Sequence, residues 1–167
     1  VRVFGHVDEE CVQSTPYKPS QTLDNLLKTE KATVNFIDDV KVFAGIVTGR
    51  EKDWDLSLCS ENEVAHLSNT NSYMNLKVSS FIEDEQRPKI ICSILNTRNL
   101  RPFMGFNRAQ FSVIELAVLS TRLGMIDDEK VKKEYDYLKI GIDKTGGERE
   151  KLAWSWIEEK IEGYFKK

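Results

Sequence analysis

The sequence predicts an α+β protein, with antiparallel strands and one or two short helices in its first hundred residues and helices alone after that. Three observations carry this. Lys31 to Ile37 (Lys-Ala-Thr-Val-Asn-Phe-Ile) is β-branched and alternates at period two. Two further runs, Ser72 to Glu83 and Pro88 to Asn96, are separated only by the charged turn Asp84 to Arg87, which is the arrangement of an antiparallel hairpin. Beyond Arg101-Pro102-Phe103-Met104-Gly105-Phe106 the apolar spacing turns helical and stays so, dividing the chain into a strand-rich domain over 1–104 and a helical domain over 105–167.

A chain of 167 residues suits one domain, or a core domain with an appendage, and can bury a substantial core. Its 24 basic and 27 acidic residues are interleaved and leave a net charge of −3, so it lacks the broad basic field that drives nucleic-acid affinity. Nucleic acid is therefore not an expected partner. Cys11, Cys59 and Cys92 stand far apart without CxxC spacing, His6 and His66 are isolated, and neither a signal peptide nor a spanning apolar run is visible. These features point to a reducing cytoplasm, no membrane and no metal. The chain opens at Val1 with Val-Arg-Val-Phe-Gly, which has the texture of mid-strand sequence, so the expectation is that something upstream is missing.

Taken in order, Val1 to Phe4 and Glu10 to Tyr17 are short β-prone runs with Gly5 to Glu9 as the turn between them. Pro19 stops ladder pairing, and Ser20-Gln21-Thr22-Leu23-Asp24-Asn25-Leu26 opens a helix that places Leu23, Leu26 and Leu27 at helical spacing and ends near Thr29. Either Ser20 or Thr22 is its N-cap. The first N–H groups of a helix have no intrahelical partner, and here hydroxyls and the Lys18 ammonium lie beside them, which is the makeup of an anion site. The same residues would serve equally as an ordinary capped helix with a solvated lysine. No Walker loop or dinucleotide fingerprint competes with this stretch.

In the strand 31–37, Thr33, Asn35 and Ile37 share one face and Val34 and Phe36 the other. Asn35 must face solvent or find partners, and a ligand is one such partner. Asp38 and Asp39 can cap a short helix carrying Val40, Val42, Phe43, Ile46 and Val47, which Gly49 stops. From Arg50 to Asn71 the chain is polar and poorly periodic, and it reads as a long excursion with one strand, anchored by Trp54, Leu56 and Leu58.

In the tail, Asn107 caps a helix that runs to about Leu123, with Gln110 at its third position. Its polar residues Arg108, Glu115 and Arg122 are spaced by seven, and the rest is apolar enough to be buried on more than one side, inside the protomer or against a partner chain. Arg108 suits two roles, a bidentate phosphate contact or a surface ion pair. Asp127 or Asp128 opens the next helix, with Val131, Tyr135, Leu138 and Ile142 on one stripe and Gly146-Gly147 at its end. A last helix spans Glu148 to Phe165, in which Trp154 and Trp156 read as packing rather than a ligand platform.

The order of short strands, a capped helix after Tyr-Lys-Pro-Ser, the strand Thr-Val-Asn-Phe and a later hairpin resembles the FMN-binding split-barrel superfamily of flavin reductases. Five motifs in sequence are similar to one branch of it, catalogued as domain of unknown function 447: Ser20 to Leu26, Thr33-Val34-Asn35, Asp39 to Phe43, Gly105-Phe106-Asn107-Arg108-Ala109 and Asp143-Lys144-Thr145-Gly146-Gly147. The resemblance runs from Val1 to about Tyr164. That branch has an N-terminal hairpin, ending in an Ala-Pro-Met-Gly or Ala-Pro-Leu-Gly run, ahead of the position of Val1. This sequence lacks it, so a barrel wall and some flavin contacts are expected to be absent.

The resemblance implies an antiparallel split β-barrel over 1–104, N-terminally incomplete, followed by a three-helix unit. It also implies a homodimer that binds FMN at or near the subunit interface. Lys18, Pro19, Ser20, Gln21 and Thr22 would hold the phosphate, Asn35 would offer its amide to ring or ribityl oxygens, and Asn107 and Arg108 would add further contacts. No protein nucleophile or acid–base dyad is visible, so the flavin would carry the chemistry of a flavin-reductase-like oxidoreductase, with a nicotinamide or another reductant as electron donor. The alternatives are a non-enzymatic flavin-binding or dimeric interaction protein, and a flavin-free scaffold.

Overall fold

The computed structural model describes residues 6–7, 11–58 and 64–166. The elements in chain order are β1 (His6–Val7), β2 (Cys11–Ser14), α1 (Gln21–Thr29), β3 (Lys31–Phe36), α2 (Lys41–Thr48), β4 (Leu56–Leu58), β5 (Ala65–Leu67), β6 (Ser72–Ile82), β7 (Lys89–Asn99), α3 (Arg108–Ser120), α4 (Asp128–Thr145) and α5 (Glu148–Phe165). They fall into two compact units. One takes the described residues up to 36 and within 55–102, and the other takes 37–54 and 103–166.

In the first unit an antiparallel sheet has the order β1-β2-β7-β6-β3, and β4 and β5 form a separate ribbon. The sheet is open, with β1 and β3 as its edges. The alternation read from the sequence sets its two faces. Ala32 and Val34 lie opposite Leu76 and Met74, and on that face they join Val12, Ile90 and Cys92 in a core that Leu23 and Leu26 of α1 complete. Burial in that core pushes the Cys92 thiol up from its ordinary pKa. The β6–β7 register shifts between Asn75 and Leu76, where Leu95 is the extra residue, and again between Val78 and Ser80.

In the second unit α2, α3, α4 and α5 share one core, in which Val40, the N-cap of α2, and Ala44 within it join Val113, Leu116, Leu138 and Ile157. Lys160 Nζ donates to the Val47 carbonyl at 3.0 Å, and Arg50 pairs with Glu159. Trp154 is 3% exposed within this core. Each cap is a local sequence choice. Asn107 Oδ1 accepts from the Ala109 N–H at 2.8 Å and Asp127 from the Lys130 N–H at 3.1 Å, whereas the N-cap of α2 is Val40, without a side-chain cap bond, rather than Asp38 or Asp39, and Asp39 Oδ1 accepts from the Lys41 N–H at 3.1 Å just ahead of it. Among the described residues, no helix is long and apolar enough to cross a membrane, and no group of His, Cys, Asp or Glu could hold a metal ion.

Several elements differ from the sequence expectation. His6 and Val7, read as turn, pair with Gln13 and Val12, while Val1 to Phe4 lie outside the described residues. The stretch 50–71 holds two strands rather than one, because three-residue strands are too short to display a period. The long helix of the tail ends at Ser120, three residues early, and continues as turns. The segment 37–54, which the division at 104 grouped with the sheet, clusters with the helices, because α2 buries its apolar residues against theirs.

Two glycines test the packing of the helical unit with opposite signs. A Cβ on Gly45 would lie 2.8 Å from the Glu51 carbonyl and 3.1 Å from the Trp54 ring, whereas one on Gly163 would meet nothing within 4 Å. Overpacking costs about 1–3 kcal/mol and exceeds the ~1 kcal/mol that Ala gains over Gly in a helix. Gly45→Ala is therefore expected to lower stability by about 1 kcal/mol and Gly163→Ala to raise it by about 0.5–1 kcal/mol. Urea unfolding of both variants beside wild type measures the two signs.

Candidate functional site

The turn from β2 into α1 is held from the opposite end of the sheet unit's longest hairpin. Asp84 accepts from the N–H groups of Arg87 (2.7 Å) and Gln86 (2.9 Å), which fixes the β6–β7 turn and keeps the Asp84 carboxyl below the usual carboxylate range. From that turn the Gln86 carbonyl accepts from the Lys18 N–H at 2.9 Å, and the Arg87 guanidinium lies 4.4 Å from the centre of the Tyr17 ring. The Lys18 ammonium pairs with Glu83, and the Lys18–Pro19 peptide is cis.

Ser20 is the cap. It is extended (φ −153°, ψ 113°), and its Oγ accepts from the Leu23 N–H at 3.3 Å. Gln21 and Thr22 are the first two residues of α1 and are exposed. Their backbone N–H groups occupy helix positions that have no intrahelical acceptor. A cleft of about 490 Å3 opens beside them, lined by Lys18, Pro19, Ser20, Leu23, Asp24, Leu27, Phe81 and Glu83. It offers one ammonium and a positive helix end, set against two carboxylates.

Asn35 has a different role from a solvent-facing amide. Its Oδ1 accepts from the Leu67 N–H at 2.9 Å and so ties the β4–β5 ribbon to the edge strand β3. Its cross-strand neighbour Tyr73 stacks on His66, with ring centres 4.3 Å apart and planes 12° apart. The next pair along that face is Thr33 and Asn75. Asn75 is fully buried and accepts from Thr33 Oγ1 at 3.1 Å, and its Nδ2 has no partner among the described residues. This buried amide was not singled out from the sequence. Its signal is a lone polar residue between Met74 and Leu76, at the β6–β7 register shift.

The structure thus gathers Lys18, Pro19, Ser20, Gln21 and Thr22 at one helix start and sets Asn35 on β3 of the same unit. Asn107 and Arg108 belong to the helical unit, where the Asn107 oxygen caps α3 and Arg108 is exposed. The cleft's lining residues include neither His nor Cys, and the arrangement of an ammonium, a hydroxyl and a helix start can bind an anion.

An open antiparallel sheet with a helix entering after its second strand, extended by C-terminal helices, defines a flavin reductase-like split-barrel fold. The styrene monooxygenase flavin reductase from Pseudomonas putida S12 shares it at 13% identity and a TM-score of 0.50, over 61% of this chain and 68% of that one. More particularly, residues 4–100 match the family model described as the N-terminal domain of the protein of unknown function DUF447, and residues 107–159 match the DUF447 model itself. The chain belongs to the DUF447 family. An FMN-bound protein of that family from Methanosarcina mazei is 20% identical and superposes with a TM-score of 0.75, over 92% of this chain and 83% of that one. No curated protein matches the chain.

The two hydrogen-bonding assignments are separable by mutation. Ser20→Ala should cost about 1 kcal/mol of stability and Thr22→Ala less than about 0.5 kcal/mol, as read by thermal unfolding. Asn35→Ala should leave the Leu67 N–H without its acceptor, at a cost of about 1–3 kcal/mol, and hydrogen exchange should speed up at Leu67 and its ribbon neighbours first.

Proposed function

We propose that this chain binds FMN, with the phosphate at the turn Lys18 to Thr22, and that it acts as a flavin-reductase-like oxidoreductase. The observation that carries the reading is the start of α1, where the Ser20 cap and Lys18 line one cleft and the first-turn residues Gln21 and Thr22, next to them in the chain, are exposed. The fold it sits on is shared with a family member that is FMN-bound.

The residues present fit a phosphate. First-turn N–H groups and the positive helix end favour a dianion, and the hydroxyl of Thr22 adjoins them. The carboxylates nearby do not defeat this, because the Lys18–Glu83 pair is solvent-exposed and such pairs are worth about 0–1 kcal/mol. Lys18 can exchange Glu83 for a doubly charged phosphate at small cost. The site is compact and the sequence carries no dinucleotide fingerprint, which favours FMN over FAD or NAD. Asn35, already bonded through its oxygen to Leu67, supports the ligand by holding the ribbon beside the sheet and has its amide N–H2 to offer. Asn107 and Arg108 are not needed for this reading.

When bound, the flavin would supply the transfer of electrons or hydride, and the chain's residues would bind and orient it. A nicotinamide is the donor we favour, and the substrate class is left to the flavin's own reactivity. We further propose that the protein is a cytoplasmic homodimer. Exposed apolar residues on α3 favour that assembly.

Two hydroxyls bonded to an ionised group are worth roughly 1.5–3 kcal/mol each, though not additively when they share one ligand. FMN affinity, read by fluorescence titration, should fall at least about tenfold for the Ser20→Ala/Thr22→Ala double variant and for Lys18→Ala, equivalent to about 1.4 kcal/mol. Lys18→Ala should leave the melting point of the flavin-free protein nearly unchanged. Unaltered FMN binding in both variants would make the turn an ordinary helix cap. Activity is a separate question: addition of NADH or NADPH to the FMN-loaded protein should bleach the flavin absorbance, and a flavin that binds yet stays oxidised with either donor would mark a carrier rather than a reductase.

A further inference from the structure

The Lys18 ammonium already has an anionic partner. It pairs with the Glu83 carboxylate, which comes 65 residues later, at the start of the β6–β7 turn, and lines the same cleft. The turn does not need this pair to hold its shape or its place. Asp84 closes it on the N–H groups of Gln86 and Arg87, the Gln86 carbonyl holds the Lys18 backbone, and the Arg87 guanidinium packs on the Tyr17 ring, all without the Glu83 side chain. The two members of the pair are also unequally covered. The Lys18 side chain is 34% exposed and that of Glu83 66%, so Glu83 is the member that can turn out into water.

We propose that Glu83 is a built-in competitor for the ligand's phosphate: its carboxylate holds the Lys18 ammonium until a phosphate displaces it, and so sets the site's preference for a dianion. This rests on the reading that the phosphate binds at Lys18 to Thr22, and it assigns that site its selectivity. A monoanionic ligand offers Lys18 the same single charge that Glu83 does, so exchanging one for the other gains nothing at the ammonium. A phosphate monoester carries about −1.5 to −2 charges at pH 7 on three acceptor oxygens, and it can engage Lys18 and the first-turn N–H groups of α1 together. Glu83 makes only part of that set of contacts, because among the described residues its carboxylate is bonded to Lys18 alone. The exchange therefore favours a doubly charged phosphate and disfavours lesser anions. Because the pair is solvent-exposed and weak, it discriminates without closing the site.

Fluorescence titration of the full chain with FMN and with riboflavin, which lacks the phosphate, tests this. Glu83→Gln keeps the size of the side chain and removes its charge, and the remaining turn contacts should keep the melting point of the flavin-free protein unchanged. FMN should bind Glu83→Gln about three- to tenfold more tightly than wild type, while riboflavin should bind both alike. Lys18→Ala should weaken FMN binding, and in that background Glu83→Gln should alter it by less than about twofold, because no ammonium is left to release. An equal gain in both backgrounds would reduce Glu83 to general charge repulsion, and a gain for riboflavin as large as that for FMN would place its effect away from the phosphate. Either result overturns the inference. Unchanged or weaker FMN binding by Glu83→Gln, with Lys18→Ala still impaired, would overturn it too while leaving the phosphate turn standing. Wild-type FMN affinity in Lys18→Ala would remove the turn as the phosphate site and the inference with it.

Discussion

The sheet unit depends on one ladder, the pairing of β6 with β7. These are its two longest strands, eleven residues each, and every other strand of the sheet is attached through them, β3 to the outer edge of β6 and β2, then β1, to that of β7. The ladder also positions the candidate anion site. Its tight turn, closed by Asp84, supplies the Gln86 carbonyl that holds the Lys18 backbone, the Arg87 guanidinium against Tyr17 and the Glu83 carboxylate that pairs with Lys18. A helix start alone is an indifferent anion binder. What distinguishes this one is that the segment before it is fixed at three points to the most extensive pairing in the unit.

Two kinds of polar group serve the sheet unit in opposite ways. At the start of α1 the first-turn residues Gln21 and Thr22 are exposed, which keeps the cost of waiting for an anion low. On the face of β3 and β6 the polar groups are consumed by structure, with Asn35 bonded to Leu67 and Thr33 to Asn75. The Asn75 Nδ2 is the exception, a fully buried donor whose lack of a partner among the described residues runs against the usual satisfaction of buried polar atoms. It marks the interior end of the face that Asn35 and Tyr73 continue outward.

Much of this was legible in the sequence, and the parts that were not share a cause. Long elements announce themselves through their period, so β6, β7, α4 and α5 follow from apolar spacing, and the cap Asn107 from residue type alone, whereas residue type leaves Asp127 and Asp128 equal and the structure selects Asp127. Ser20 or Thr22 was as far as local sequence could go, because both are good caps and only the backbone conformation at Ser20 distinguishes them. The partners of the site residues were invisible because they are distant: Glu83 is 65 residues from Lys18, and Leu67 is 32 from Asn35. The family's motifs could be recognised in order without these pairings, which is why the fold was readable before the geometry of its site.

The placement of α2 reaches into how the molecule is made. Its apolar residues belong to a core whose other walls are α3, α4 and α5, and about sixty residues of chain separate Thr48 from Arg108. A ribosome adding roughly 5–20 residues per second leaves that segment without its partners for several seconds. During this interval the sheet unit's later strands are still being synthesised. Nascent α2 is therefore an exposed apolar stretch that must be tolerated, or shielded by a chaperone, until the last helices emerge. Synthesis of this protein is thus tied to its C-terminal end, and a ribosome stalled anywhere in β6 or β7 leaves a product in which neither unit can be finished.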